Sequence, residues 1–386
     1  MTVRPVLDGL MMWYSTSGRQ DSSGKAGNMS RRKTLRLLIV LFSVSGLLTF
    51  QTLSGSLGAQ SKASWQVKLQ IPLAAGATAL AYIPDGSQVV IGYSTGQLAI
   101  WDTGTGKLLQ TIETHGKGIE ALLFTSKGDK LIAISQDNKA QIRTLPDWRL
   151  VGTLKGITAT ADVSPDDKWL AGQDSEHRIW LWDLSTLKRD RQLGKTGTDG
   201  ALSLSFTPDG KNLALAYDYG PYLIDLQSKS ATRLPVAAKS DVTLRQVDKN
   251  TYIVNLGALD DDHAFSHFVR ASTTGSLVAI GRGLFGKPDF VDVYDWQAMK
   301  SIARLKPQDN GTVACFSSDN ELLAIQGTGQ VTVWEIATAR QVAKIKASGV
   351  APSSLIAPGS RLFEFSPLAR ELAVIDSNNL LIYQER

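Results

Sequence analysis

The chain of 386 residues holds one cysteine, Cys315. No disulfide can form within it, and a zinc motif built on paired cysteines is excluded. Cys315 stands in the apolar run TVACFSS and reads as a small buried core residue. Histidine is scarce as well, with His115, His177, His263 and His267 making up the full set. An excess of one charge sign is missing from most of the chain. The net charge of +5 arises near the N-terminus, where residues 1–59 carry Arg4, Arg19, Lys25, Arg31, Arg32, Lys33 and Arg36 against Asp8 and Asp21. From residue 60 onward bases and acids balance, which removes any bulk electrostatic drive toward nucleic acid. A hydrophobic content of 43% excludes disorder for this remainder.

Long apolar runs are also rare. Residues 1–28 are polar and rich in Gly and Ser, and read as a disordered or misassigned extension. Met29 opens MSRRKTLRLLIVLFSVSGLLTF, a basic stretch followed by 14 residues without charge from Leu37 to Phe50. Ser56-Leu57-Gly58 resembles a small-x-small cleavage site, so residues 29–59 have the design of a secretory leader, with Met29 the suspected start. The run falls short of the roughly 20 residues that span a bilayer comfortably. It anchors if Thr49–Ala59 joins it, since no charge appears before Lys62. A cleaved leader and an anchor over residues 35–59 both place the body outside the cytoplasm, periplasmic or secreted; a cytosolic body is the third reading. No Cys follows the run, against a lipoprotein anchor.

What the chain does have is a repeating unit. Its clearest copy, YIPDGSQVVIGYSTGQLAIWD, runs from Tyr82 to Asp102. An apolar strand end meets a turn at Pro84-Asp85-Gly86. A strand at Gln88–Gly92, a turn at Ser94–Gly96 and a strand at Gln97–Trp101 follow. Pro presets φ, Asp caps the turn and Gly takes the positive φ. The turn recurs as FTSKG, VSPDD, FTPDG, ASTTG, FSSDN and FSPLA. The closing strand carries its marker residue at Trp101, Arg143, Trp182, Ile224, Tyr294, Trp334 and Tyr383. These steps are 42, 39, 42, 70, 40 and 49 residues, and four of the six match the period of a four-stranded propeller blade. The chain from about Trp65 onward resembles the WD-repeat β-propeller family, in a diverged form that with its leader reads as bacterial and exported. Trp101-Asp102, Trp182-Asp183 and Trp334-Glu335 keep Trp followed by an acid, and Tyr294-Asp295 is a near match.

The resemblance implies an all-β fold with seven blades, over residues 60–386. The blades run approximately over 74–117, 118–156, 157–199, 200–238, 267–309, 310–358 and 359–386. The last copy has material for three strands. Trp65–Leu73 alternates like an outer strand yet precedes any complete repeat, so it is expected to complete the last blade. Inner strands such as LALAY, LVAIG, LLAIQ and LAVID are apolar on both faces, as blades packed on each side require. The long step holds an insertion, residues 239–266, whose VTLRQV and TYIVNLG read as a hairpin. An elaborated loop suits it better than a degenerate eighth blade, because a second pair of strands is missing.

Several local matches to catalytic motifs dissolve in this context. Gly92–Gly96 matches G-x-S-x-G, but a strand follows where a nucleophile elbow needs a helix. Gly281–Gly286 matches G-x-G-x-x-G, but a strand again replaces the phosphate-facing helix, and a long loop joining two strands of the fifth blade is expected. Thr103–Lys107 is the turn after the Trp-Asp pair. The resemblance implies a structural hydrogen bond from His115 to Asp137, and packing roles for Trp101, Trp182 and Trp334. Trp180 should share the face of Trp182, and His177 is expected in a solvated turn.

Function is therefore expected of the connections. The resemblance implies a non-catalytic scaffold, monomeric, that binds protein partners, with no cofactor and no metal, and with membrane contact through its N-terminal segment alone. The expected contact residues are Tyr219, Asp260, Asp261, Asp262, His263, Leu284, Phe285 and Lys287. They share the face that collects the connections before each inner strand and those between the second and third strands. The rival readings are a propeller hydrolase or lactonase with a metal in the central channel, and a fixed accessory subunit of a membrane complex. The enzyme needs converging His or acid residues. The equivalent turns offer scattered Asp and Asn, such as Asp137-Asn138 and Asp376–Asn378.

Overall fold

The computed structural model describes residues 64–386 except 115, 196–202, 218–219, 229, 235–241, 249–250, 257–264, 285–286, 308–312 and 349–361. The expected extension and the leader or anchor lie outside the described residues. Within them there is no α-helix, and no helix is long and apolar enough to cross a membrane.

Among the described residues, thirty strands form seven four-stranded antiparallel sheets and one two-stranded sheet. After β1 (Trp65–Pro72), the first blade is β2 (Ala77–Tyr82), β3 (Gln88–Tyr93), β4 (Gln97–Asp102) and β5 (Leu108–Glu113). The second is β6 (Ile119–Phe124), β7 (Lys130–Ser135), β8 (Lys139–Thr144) and β9 (Leu150–Lys155), and the third β10 (Ala161–Val163), β11 (Trp169–Gln173), β12 (Arg178–Asp183) and β13 (Lys188–Lys195). The fourth is β14 (Ser203–Phe206), β15 (Asn212–Tyr217), β16 (Gly220–Asp225) and β17 (Ala231–Arg233). The insertion contributes β18 (Val242–Asp248) and β19 (Thr251–Leu256). The fifth blade is β20 (Phe265–Ala271), β21 (Leu277–Leu284), β22 (Lys287–Asp295) and β23 (Lys300–Leu305), and the sixth β24 (Ala314–Phe316), β25 (Leu322–Gly327), β26 (Gln330–Glu335) and β27 (Arg340–Lys346). The seventh is β28 (Phe363–Phe365), β29 (Glu371–Asp376) and β30 (Asn379–Glu385), with β1 as its outer strand.

That last pairing closes the ring. β1 runs antiparallel to β30 from Trp65 opposite Glu385 to Pro72 opposite Asn379. Ile71 is 2% exposed, and Lys68 Nζ reaches Glu371 Oε1 at 2.7 Å. The expected strand loan from before the first blade is what the structure shows.

Strand alternation distributes each blade's side chains between its two neighbours. In the first blade Val89, Ile91, Ala99 and Trp101 join the cluster shared with the seventh, whereas Val90, Leu98 and Ile100 join the one shared with the second. The marker side chain of the closing strand faces the preceding blade: Trp182 packs with the second, Ile224 with the third, Tyr294 with the fourth and Trp334 with the fifth. Burial of both faces explains why the inner strands read as continuous apolar runs.

The turn between first and second strands is a shared device. In the second, third, fourth and sixth blades its Ser or Thr is buried, donates to a turn aspartate and accepts the N–H that opens the next strand, as in Ser164 with Asp166 (2.6 Å) and Trp169 (2.9 Å), and Thr207 with Asp209 (2.7 Å) and Asn212 (3.1 Å). The left-handed residue three places on lies against the turn of the blade before. A Cβ on Gly128 (φ 70°) would stand 3.3 Å from Pro84 Cδ. Asp167 and Asn320 hold the same slot at φ 62° and 60° and hydrogen-bond across the gap, Asp167 to the N–H groups of Ser126 and Lys127, Asn320 to the Thr274 carbonyl.

The aspartate that follows the marker residue caps the next turn. Asp102, Asp183, Asp225 and Asp295 each accept two backbone N–H groups through Oδ1, at 2.6–3.1 Å. This explains the Trp-Asp pair: one side chain locks a blade to its neighbour and the next ends the strand.

One expectation changes. The loop expected across Gly281–Gly286 is a ladder instead, because β21 and β22 stay paired out to Leu284 opposite Lys287, leaving a two-residue connection. Pro288, which has no N–H, sits beside a register shift between Arg282 and Gly283, where the ladder can spare a donor. The VTLRQV and TYIVNLG segments do pair with each other, as a separate two-stranded sheet.

Candidate functional site

Of the eight expected contact residues, Tyr219, Asp260, Asp261, Asp262, His263 and Phe285 lie outside the described residues. Leu284 and Lys287 are a backbone pair at the tip of the fifth blade's hairpin. The described residues bring none of this set into a formed site. Among them, no group of three His, Cys, Asp or Glu side chains stands close enough to hold a metal.

The expected structural residues are better placed. Trp182 is 1% exposed, and Arg189 lies over both Trp180 and Trp182, which share a face as expected. Trp334 Nε1 donates to Thr332 Oγ1 at 3.0 Å. Trp101 packs between the first and seventh blades. His115 lies outside the described residues, and the Asp137 carboxylate takes the Lys139 ammonium at 2.7 Å. His177 is half-buried rather than solvated, with Nδ1 2.9 Å from Gln173 Nε2 and a left-handed backbone (φ 62°).

Asp174, in the same turn, is buried and was not singled out by sequence. Its carboxylate accepts from the N–H groups of Glu176 and Arg178, from Arg178 Nε (2.8 Å) and from Trp180 Nε1 (2.9 Å). Burial works against the charge, but these bonds from Arg178, Trp180 and Glu176 outweigh it and hold the carboxyl below its usual range. It ties the turn to the third strand of its blade.

A formed cavity of the ring lies elsewhere among the described residues. Where the inner strands run into their turns, all seven blades line a recess of about 380 Å³ at the mouth of the central channel. The first residue of each turn makes the rim: Pro84, Ser126, Pro165, Pro208, Thr273, Ser318 and Pro367. Three places earlier, each inner strand supplies one residue: Ala81, Leu123, Asp162, Ser205, Arg270, Cys315 and Glu364. Cys315 is buried, as expected of it.

This inner position also fastens blade to blade. Asp162 Oδ2 accepts the Phe206 N–H at 2.9 Å and the Ser205 hydroxyl at 3.0 Å. Ser205 Oγ accepts the Ala271 N–H at 3.3 Å, and Glu364 Oε2 the Tyr82 N–H at 2.9 Å. In each case an acceptor on one inner strand satisfies an N–H on the channel edge of the next. Arg270 Nη1 lies 4.0 Å from Asp162 Oδ1, two blades away. Burial pushes the Tyr82 phenol above its usual value, and Glu371 and Glu364 add to the effect.

No protein-family model matches the chain. It is 27% identical over 139 residues to autophagy-related protein 16 of Arabidopsis thaliana, covering 34% of this chain and 27% of that protein. It is 22% identical over 254 residues to pre-mRNA-processing factor 19 of Oryza sativa subsp. japonica (58% and 48%), and 33% identical over 132 residues to protein MAK11 of Saccharomyces cerevisiae (29% and 32%). The matched part spans less than half the length of each of these relatives. The β-propeller domain of Cps50 (Swd1) from Myceliophteria thermophila superposes with a TM-score of 0.62 at 14% identity, covering 83% of this chain and 99% of that domain, a likeness of fold. In its repeat, its seven-bladed fold and its partial sequence likeness, this chain resembles the WD-repeat β-propeller proteins.

Proposed function

We propose that the chain is a non-catalytic scaffold that binds a protein partner through the connections at one or both ends of its ring. The observation that supports this is the division of labour in the fold. Strands and first turns are committed to fastening neighbours, while the departures from the repeat fall on connections: the insertion before β20 and the lengthened β21–β22 hairpin. A rigid frame with variable connections is the arrangement on which binding residues are presented. The relatives named above are WD-repeat proteins, which agrees with this reading.

The leader-like residues 29–59 support placement outside the cytoplasm, either freed by cleavage or held at a membrane by residues 35–59, and the closed ring supports a monomer. Affinity purification of the full chain from native membranes, with mass spectrometry of the captured proteins and of the mature N-terminus, tests both parts. A reproducible stoichiometric partner is the expected result, and repeated recovery of the solitary chain would sink the scaffold. A processed end near Ala59 would rule out the anchor.

A further inference from the structure

Exposed apolar side chains are not spread evenly around the ring. Among the described residues eight large ones are exposed, and six of them, Val67, Leu108, Leu109, Leu150, Val151 and Leu368, stand on three consecutive blades, the seventh, first and second. Five lie on the outer strands β1, β5 and β9, between 42% and 51% exposed. Their positions repeat. Val67 is opposite Tyr383, Leu108 opposite Trp101 and Leu150 opposite Arg143, so each pairs with the marker residue of its own blade. The same position holds Arg189, Ala231, Ser301 and Gln341 on the third to sixth blades. The arc is continuous. A Cβ on Gly106, in the turn before β5, would stand 3.1 Å from Leu69 Cδ1 of β1, and one on Gly86 would stand 3.5 Å from Leu368 Cγ.

Single exposed leucines need no explanation, but a contiguous run of them does. Edge strands are ordinarily protected by charge. β13 and β27 follow that rule, with Lys188, Arg189, Asp190, Arg191 and Lys195 on the one and Arg340, Lys344 and Lys346 on the other. β1, β5 and β9 carry one charge each, Lys68, Glu113 and Lys155.

Two features choose the occupant. The side chains are all Val and Leu, which are under-represented among the residues that anchor protein interfaces, where Trp, Tyr and Arg lead. Hydrocarbon accepts them without a shaped pocket, because the driving force is non-directional. The chain also enters the ring on this arc. Trp65 begins β1 opposite Glu385, and Ala59, where the apolar stretch of residues 35–59 closes, comes six residues earlier. Six residues reach at most about 20 Å, so a bilayer that holds residues 35–59 is kept within that reach of the arc.

We propose that the outer edge of the seventh, first and second blades rests on the membrane surface, with Val67, Leu108 and Leu150 dipping into the boundary between headgroups and acyl chains. Insertion to that depth needs exposed aliphatics and no spanning element. This adds contact by the ring itself to that of the N-terminal segment, and it rests on the anchored form of the placement given above. The β21–β22 tip, at the opposite end of the ring from the first turns, stays open to a protein partner.

Fluorescence of the full chain reconstituted into protein-free phosphatidylcholine vesicles tests this. A polarity-sensitive probe is attached through Leu108→Cys, through Leu150→Cys or, as a control at the same position on the fifth blade, through Ser301→Cys. Cys315 is buried and stays unlabelled. The probes at Leu108 and Leu150 should shift to the blue and lose most of their emission when the lipid carries brominated acyl chains, and the probe at Ser301 should do neither. Equal responses at all three sites, or none at Leu108 and Leu150, would overturn the proposal. Probes that are silent in protein-free vesicles but shielded in native membranes would also overturn it and assign the arc to a protein. Mass spectrometry of the N-terminus from native membranes separates this inference from the reading it rests on. A retained segment with no quenching sinks the rim contact and leaves the anchor, whereas a processed end near Ala59 on a chain that stays in solution sinks both.

Discussion

Glu364 Oε2 accepts the backbone N–H of Tyr82 at 2.9 Å, from the last blade to the first. The bond crosses the same seam that β1 and β30 close at the outer rim, so the ring is fastened at its channel edge as well as its circumference. Glu364→Ala leaves that N–H without its acceptor and should cost about 1–2 kcal/mol. Glu364→Gln should cost less than half as much. Chemical denaturation of the two variants gives the comparison, and equal losses would show that the bond contributes nothing.

Ile71 tests the outer fastening. Its side chain is 2% exposed and belongs to the cluster that joins the sixth, seventh and first blades. Ile71→Ala should cost about 2–4 kcal/mol, whereas Val67→Ala, at a side chain 49% exposed on the same strand, should be nearly neutral. A loss confined to Val67→Ala would contradict the register of β1.

Gly128 combines a left-handed backbone with close approach to Pro84. Gly128→Ala should destabilise by about 1–2 kcal/mol, since an L side chain in this conformation is strained and must also displace the ring. Gly128→Asn should cost less, because Asn tolerates the conformation and already serves at Asn320. Thermal unfolding of both variants, ranked in the reverse order, would refute the argument.

The strand-ending aspartates predict an acid limit. Hydrogen bonds hold their carboxyls below the usual range: from the Thr105 hydroxyl and N–H at Asp102, from the Ser185 hydroxyl and Thr186 N–H at Asp183, from the Ser228 N–H and hydroxyl at Asp225, and from the Ala298 N–H at Asp295. A carboxyl depressed in the folded state stabilises it fully above the unfolded value of about 3.9, and that contribution is lost as pH falls through the folded value. Unfolding midpoints should therefore be flat from pH 7 down to about 5 and fall steeply below about 4. Asp183→Asn should be less stable at pH 7 and lose less on acidification. A slope that Asp183→Asn leaves unchanged would remove this residue from the account.

Asp174 carries the buried polar junction of the third blade. Asp174→Ala strands Trp180 Nε1 and an arginine and should cost about 3 kcal/mol. A red shift in tryptophan emission should accompany it as water reaches Trp180. An unshifted spectrum with unchanged stability would show the junction to be dispensable.

The blades were legible because the marker slot, the aspartate after it and the first turn keep the same job in most copies. Trp182 must fill the gap to the second blade, and Asp183 must end the strand, so both recur in kind. The channel position was not legible, because its job is done by different chemistry from blade to blade. Asp162, Ser205 and Glu364 all accept an N–H from the next blade, yet they sit in register with Ala81, Leu123, Arg270 and Cys315, and a repeat comparison reads the slot as noise. The available signal was a charged residue inside an otherwise apolar inner strand. Asp174 was hidden by its turn, since Asp in a turn needs no second role. The β21–β22 ladder was misread because Gly281, Gly283 and Pro288 look like loop residues, whereas cross-strand pairing on both sides carries the hairpin through them.

The strand that completes the seventh blade is made first and used last. Lys68 meets Glu371 across 303 residues, so Trp65–Pro72 must wait, with its edge unsatisfied, while nearly the whole ring is synthesised. During that interval it resembles an aggregation-prone edge more than a fastener. Assembly of this molecule should therefore be limited by a late meeting of its extremities, a slow step of high contact order that a chaperone would have to protect.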